Sequence, residues 1–199
     1  MEKTIIFATG NEGKMREVRM ILADTAFRAV SMKEAGISCE IIENGATFEE
    51  NALIKARTVS RASGMIAMAD DSGLEIDFLG KEPGIHSARF LGEDTPYDFK
   101  NSYILKQLEG LEKEKRTARF VCAIACVFPD GREKVCRETM EGLIAEESRG
   151  TNGFGYDPIF WLEDYQCTSA QLAPEQKNAI SHRGKALRRM RQMLEEDTV

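Results

Sequence analysis

Two adjacent carboxylates, Asp70 and Asp71, close the apolar run Met65-Ile66-Ala67-Met68-Ala69 and stand directly before Ser72-Gly73. Successive side chains on a strand point to opposite faces, so only one of the two can look into a given pocket while the strand stays regular. A carboxylate at the end of a buried strand suits a hard divalent cation, which takes one or two protein carboxylates and leaves its other positions to water and phosphate oxygens. The same four residues also suit a plain Asp-Asp-Ser-Gly turn, and the pattern predicts that the strand ends there. A second group with chemical potential lies at Thr9-Gly10-Asn11-Glu12-Gly13-Lys14, between a strand-like run at 4–8 and a helical pattern reaching Leu22. Small polar residues between a strand and a helix aim free N–H groups and the positive end of the helix dipole at an anion. The spacing is too short for a Walker A loop, and Met15 stands where Ser or Thr is required. An ordinary capped helix fits these residues as well.

Other segments position further candidates. A strand is expected near 27–31. Thr47 and Glu50 have the spacing of a capping box opening a helix with Phe48, Ala52, Ala56 and Val59 on one face. That cap accounts for Glu50, whereas Glu43 lies in the preceding Gly-containing loop with no such local role. Lys55 rides on the helix, within reach of a phosphate. The Gly and Pro spacing of 78–90 predicts an ordered loop, and Thr95-Pro96 predicts a helix start with Thr95 at the cap. Residues 117–128 are apolar on both faces, as in a central strand, and Pro129-Asp130-Gly131 turns the chain into a partner strand at about 133–140. The loop 148–158 places Phe154 and Tyr156 among glycines, a stacking surface for a planar base whose backbone groups could bond its edges. A strand at 159–162, a short helix within 171–180 and a last helix bearing Ala186, Leu187, Met190, Met193 and Leu194 complete the chain. Lys177, His182 and Arg183 bring three cation-capable groups near that last helix start.

Composition narrows the function. The chain has 199 residues, 42% hydrophobic and 30% charged, enough for one sizeable core. No apolar run approaches the roughly 18 residues of a membrane span, and the first residues lack a secretory signal pattern, so a soluble cytoplasmic protein with no membrane partner is expected. Five cysteines without a C-x-x-C pair argue against a disulfide framework and a zinc site. With two histidines available, any metal site must be built from oxygen. A net charge of −6 disfavours nucleic-acid binding but is compatible with a nucleotide that carries its own cation.

Six motifs occur in order along nearly the whole chain: T-G-N-x-x-K at Thr9 to Lys14, T-F-x-E-N-A-x-x-K-A at Thr47 to Ala56, D-D-S-G-L at Asp70 to Leu74, P-G-x-x-S-A-R at Pro83 to Arg89, F-G-Y-D-P-x-F at Phe154 to Phe160, and S-H-R-G at Ser181 to Gly184. Together they resemble the inosine/xanthosine triphosphate pyrophosphatase family, which removes deaminated purine nucleotides. The resemblance implies a mixed α/β fold with an elongated central sheet flanked by helices, two lobes with a nucleotide cleft between them, one domain over 1–199 and a homodimer. It also implies Mg²⁺-dependent cleavage of ITP, dITP and XTP between the α- and β-phosphates. Carried over by position, Thr9, Gly10, Asn11, Glu12, Gly13 and Lys14 would hold the triphosphate with Lys55. Glu43 and Asp71 would hold the metal, with Asp71 also the general base. Ser72, Phe154, Gly155, Tyr156, Asp157, Lys177, His182 and Arg183 would line the nucleotide pocket. Asn152 and Gln171 depart from the pattern, where glycine and glutamate are usual. A pyrimidine (dTTP or UTP) pyrophosphatase and a non-catalytic nucleotide sensor are the alternatives, the latter disfavoured by Lys14, Glu43 and Asp71.

Overall fold

The computed structural model describes residues 3–196. The chain forms strand β1 (Lys3–Phe7), helix α1 (Glu12–Leu22), β2 (Phe27–Ser31), α2 (Phe48–Ser63), β3 (Ile66–Ile76), α3 (Tyr97–Gln107), β4 (Thr117–Val127), β5 (Glu133–Ile144), β6 (Phe160–Leu162), β7 (Cys167–Thr168), α4 (Pro174–Ile180) and α5 (His182–Glu196). A seven-stranded sheet takes the order β2-β1-β3-β4-β5-β6-β7. Its β2–β1–β3 side is parallel, with Ile5 opposite both Ala29 and Ile66, and its β5–β6–β7 side is antiparallel. The fold is therefore mixed α/β, with β4 in the middle, as its two apolar faces require.

Two compact units divide the chain. One comprises the residues up to Asp71, Cys122–Glu138 and the residues from Arg183 on; the other comprises Ser72–Val121 and Thr139–His182. In the first, Ile5, Phe7, Met15, Val18, Ile124 and Leu187 are almost wholly buried in one apolar cluster. In the second, Leu74, Ile76, Ile104, Leu108 and Phe160 are fully buried in another, with Phe120 largely so.

Several local expectations are corrected. The chain does not turn at Ser72-Gly73: β3 continues to Ile76. Leu74 and Ile76 are fully buried on one side of its pleat, and the Leu74 N–H donates to the Ser87 hydroxyl; this burial outweighs the turn preference of Ser and Gly. Helix α1 begins at Glu12 rather than after Lys14, because the Asn11 side chain caps it by accepting from the N–H groups of Gly13 and Lys14. At α3 the cap position is Pro96 rather than Thr95, whose hydroxyl instead donates to the Leu91 carbonyl. The capping box at α2 is half formed. Thr47 Oγ1 accepts from Glu50 N at 3.1 Å, but the Glu50 carboxylate takes the Ala46 N–H, one residue earlier than the motif requires. Strand β5 extends four residues past its expected end, and the two-residue β7 is too short to carry a sequence pattern.

Candidate active site

The acidic pair at the middle of β3 is divided as the strand pleat demands, and each carboxylate meets its own set of cations. Asp70 is 1% exposed. Lys14 Nζ lies 2.9 and 3.0 Å from its two oxygens, and Arg183 Nε lies 3.3 Å away. Burial opposes its charge, but Lys14, Arg183 and Lys55 hold its carboxyl well below the usual carboxylate range. Arg183, also buried, reaches Glu17 at 3.2 Å. Lys14 of the first motif and Arg183 of the last are thus gathered on one buried carboxylate.

Asp71 faces helix α2. Lys55 Nζ lies 3.0 Å from its Oδ1, and Asn51 Nδ2 lies 3.2 Å from its Oδ2. The same ammonium bonds Glu43 Oε2 at 2.9 Å. One buried cation therefore sits between two carboxylates that lie 28 residues apart in sequence. Burial lifts the Asp71 carboxyl above its ordinary value, Lys55 opposes that rise, and Glu43 adds to it. For Lys55 burial works against the charge, yet Asp71, Asp70 and Glu43 together hold its pKa above the usual lysine value. The loop bearing Glu43 is tied to α2 by Gly45 N, which donates to Asn51 Oδ1 at 2.8 Å. Asn51 thus braces both Asp71 and the Glu43 loop; sequence reading passed over it, although its place in the T-F-x-E-N-A motif was visible. Glu50 points instead to the local backbone at Ala46.

Among the expected cradle residues, Thr9 Oγ1 accepts from Asn11 N, and Asn11, Glu12 and Gly10 are exposed at the start of α1. Gly13 and Lys14 lie in the first turn, their N–H groups capped by Asn11.

In the second unit, the 153–157 loop is built around Asp157. Its Oδ2 accepts from the Phe154 N–H at 2.8 Å and from Lys177 Nζ at 2.5 Å, and its Oδ1 accepts from Ser169 Oγ at 2.7 Å. A Cβ on Gly153 would fall 2.2 Å from the same carboxylate, at a backbone φ of +77°. Asp157 consequently spends its carboxylate on the loop and on Lys177, while the Phe154 ring stays exposed under the Lys177 ammonium, 5.3 Å from the ring centroid. The two departures from the family pattern fasten this region. Asn152 Nδ2 donates to the Leu172 carbonyl, and Gln171 Oε1 accepts from Thr168 N. His182 stacks face to face on Phe120 at 4.9 Å. Ser72, half-buried, belongs to this unit as well.

Within the first unit, paired carboxylates bridged by a buried lysine lie in an α/β fold whose first helix bears a second lysine in its capped opening turn. The chain belongs to the Ham1 family, whose model matches residues 5–193. It is 47% identical over 194 residues to the dITP/XTP pyrophosphatase of Bacillus licheniformis, covering 98% of this chain and 99% of that one. It is likewise 47% identical over 193 residues to the dITP/XTP pyrophosphatase of Bacillus subtilis, covering 97% and 98%. Among solved structures, a HAM1 protein from Coxiella burnetii superposes with a TM-score of 0.91 at 40% identity, covering 98% of this chain and 99% of that one. The relationship suggested by the six sequence motifs therefore holds along nearly the full length.

Proposed function

We propose that this protein hydrolyses deaminated purine nucleoside triphosphates, dITP, ITP and XTP, between the α- and β-phosphates, releasing the monophosphate and pyrophosphate and so cleansing the nucleotide pool of the cytoplasm. The observation that carries the reading is the Glu43–Lys55–Asp71 arrangement, seated among the motifs that this chain shares with its relatives. The names of those relatives supply the substrate class. The whole chain acts as one catalytic domain and pairs as a homodimer.

The donor set also suits Mg²⁺. Glu43 and Asp71 present oxygen to one buried cation, and among the described residues no group of three or more His, Cys, Asp or Glu is arranged to hold a metal ion. That pair matches an ion which keeps several waters and takes its remaining oxygens from substrate phosphates. When bound, Mg²⁺ would neutralise charge on the phosphate oxygens and acidify a nearby water. Asp71 is the carboxylate placed to accept the proton of the attacking water. Asn51 fixes the direction of that carboxylate. Lys55 and Lys14 balance the negative charge that phosphoryl transfer concentrates on the oxygens. We assign Thr9 to Lys14 to the phosphate tail and Phe154, with Lys177 over its ring, to stacking on the base, and Ser72, Gly155, Tyr156, Asp157, His182 and Arg183 as further residues that contact the nucleotide. Donors that meet a 6-oxo group would be left unpaired by a 6-amino group, which disfavours ATP.

The decisive assay incubates the purified protein and Mg²⁺ with ITP, dITP, XTP, ATP, GTP, dTTP and UTP and identifies the products. Pyrophosphate from the oxo-purines ahead of ATP supports the reading. Orthophosphate release, a preference for dTTP or UTP, or no turnover would overturn it.

A further inference from the structure

Helix α3 carries no residue assigned to the site, yet it buries an amide that shape alone does not explain. Asn101 is 2% exposed. Its Nδ2 donates to the Gly155 carbonyl at 3.1 Å, whereas its Oδ1 is buried with no hydrogen-bond partner among the described residues. A half-satisfied buried amide costs stability that an apolar side chain of similar size would avoid. The bond to Gly155 is what distinguishes Asn101 from such a replacement.

That bond has a geometric consequence. A peptide unit is planar and trans, so its carbonyl and N–H point in opposite directions. Tying the Gly155 carbonyl to α3 turns the Tyr156 N–H away from α3. The rest of the loop is held against drift. Gly155 has φ +67° and lies on the Tyr97 ring, which a Cβ would meet at 3.4 Å. The Tyr156 ring packs edge-on against Tyr97 at 5.2 Å, and its hydroxyl donates to the Ser87 carbonyl at 2.7 Å. No protein acceptor among the described residues takes the Tyr156 N–H.

We propose that Asn101 is a specificity-determining positioning residue, which orients the Gly155–Tyr156 peptide so that the Tyr156 N–H meets an oxo group on the purine edge. The inference rests on the substrate reading above and deepens it. An oxo group accepts from that donor, whereas an amino group offers hydrogens of its own.

The test compares Asn101→Asp, which keeps the shape but puts an acceptor against the Gly155 carbonyl, with Asn101→Ser, which is too short to reach it. Ser102→Ala, on the exposed side of the same helix, is the control. Both Asn101 variants should raise KM for ITP about tenfold or more, with kcat little changed, and reduce the ITP-over-ATP preference in kcat/KM by a similar factor. Calorimetric binding of IMP and AMP gives the same comparison without turnover and serves for a variant of low activity. A merely structural role would lower melting temperature and activity on both nucleotides together, leaving their ratio and the IMP-over-AMP ratio at wild-type values. That result, in either variant that folds, overturns the inference alone. A wild-type protein that fails to prefer ITP over ATP overturns the substrate reading, and this inference with it.

Discussion

Lys55 satisfies Glu43 and Asp71 with one ammonium, and the buried Asn51 amide supports both arms of that arrangement. Removing the Asp71 charge while keeping its shape should therefore spare the fold and stop the chemistry. Asp71→Asn is expected to lower turnover by about a thousandfold, within the range of a lost general base, with an unchanged circular dichroism spectrum. Glu43→Gln acts differently. One carboxylate would remain to anchor the ion, so the Mg²⁺ concentration for half-maximal activity should rise severalfold; an unchanged metal titration would remove Glu43 from that role. Asp70, one residue away, faces Lys14 and Arg183, and its part is to hold those cations in place.

Strand β5 passes β6 so closely that a Cβ on Gly142 would fall 2.6 Å from the Trp161 carbonyl oxygen and 2.7 Å from the Phe160 ring. Backbone cannot step aside as a flexible side chain can. Gly142→Ala should cost about 2 kcal/mol of stability, read as a lower urea midpoint with an unchanged slope. At the end of β3, Asp77 accepts from Arg119, Lys81 and Thr117, which together hold its carboxyl well below the usual range. A depressed folded pKa stabilises the folded state above the unfolded value of about 3.9 and is lost as pH falls through the folded one. Stability should thus decline as pH drops below about 4, and Asp77→Asn should flatten that decline while lowering stability at neutral pH. Thermal melts from pH 7 to pH 2.5 would show whether the two curves converge in acid.

Two apolar clusters, one in each compact unit, carry the burial that holds the fold. Both are made of apolar side chains, and no disulfide joins the cysteines among the described residues. Chelation should consequently abolish turnover while moving the melting temperature by no more than a few degrees, and added Mg²⁺ should restore full activity. A chelated protein that unfolds would show instead that the ion is part of the scaffold. No helix among the described residues is long and apolar enough to cross a membrane.

Much of this was legible in the linear chain. The β2 and α2 starts, the central place of β4, the last helix and the family relationship all follow from local patterns: apolar period, caps and motif order. Those patterns act between neighbours in sequence, so composition and spacing reveal them. The course of β3 past Ser72-Gly73 did not follow, because burial of Leu74 and Ile76 by distant segments overrode a local turn preference. Nor did the division of labour between Asp70 and Asp71, the bracing role of Asn51, the inward use of the Asp157 carboxylate, or the Asn101 bond to Gly155. The residue types and their order were sufficient to name the chemistry. Only the folded chain assigned partners, because a hydrogen bond or ion pair depends on distances of about 3 Å between groups whose separation in sequence carries no information about their separation in space.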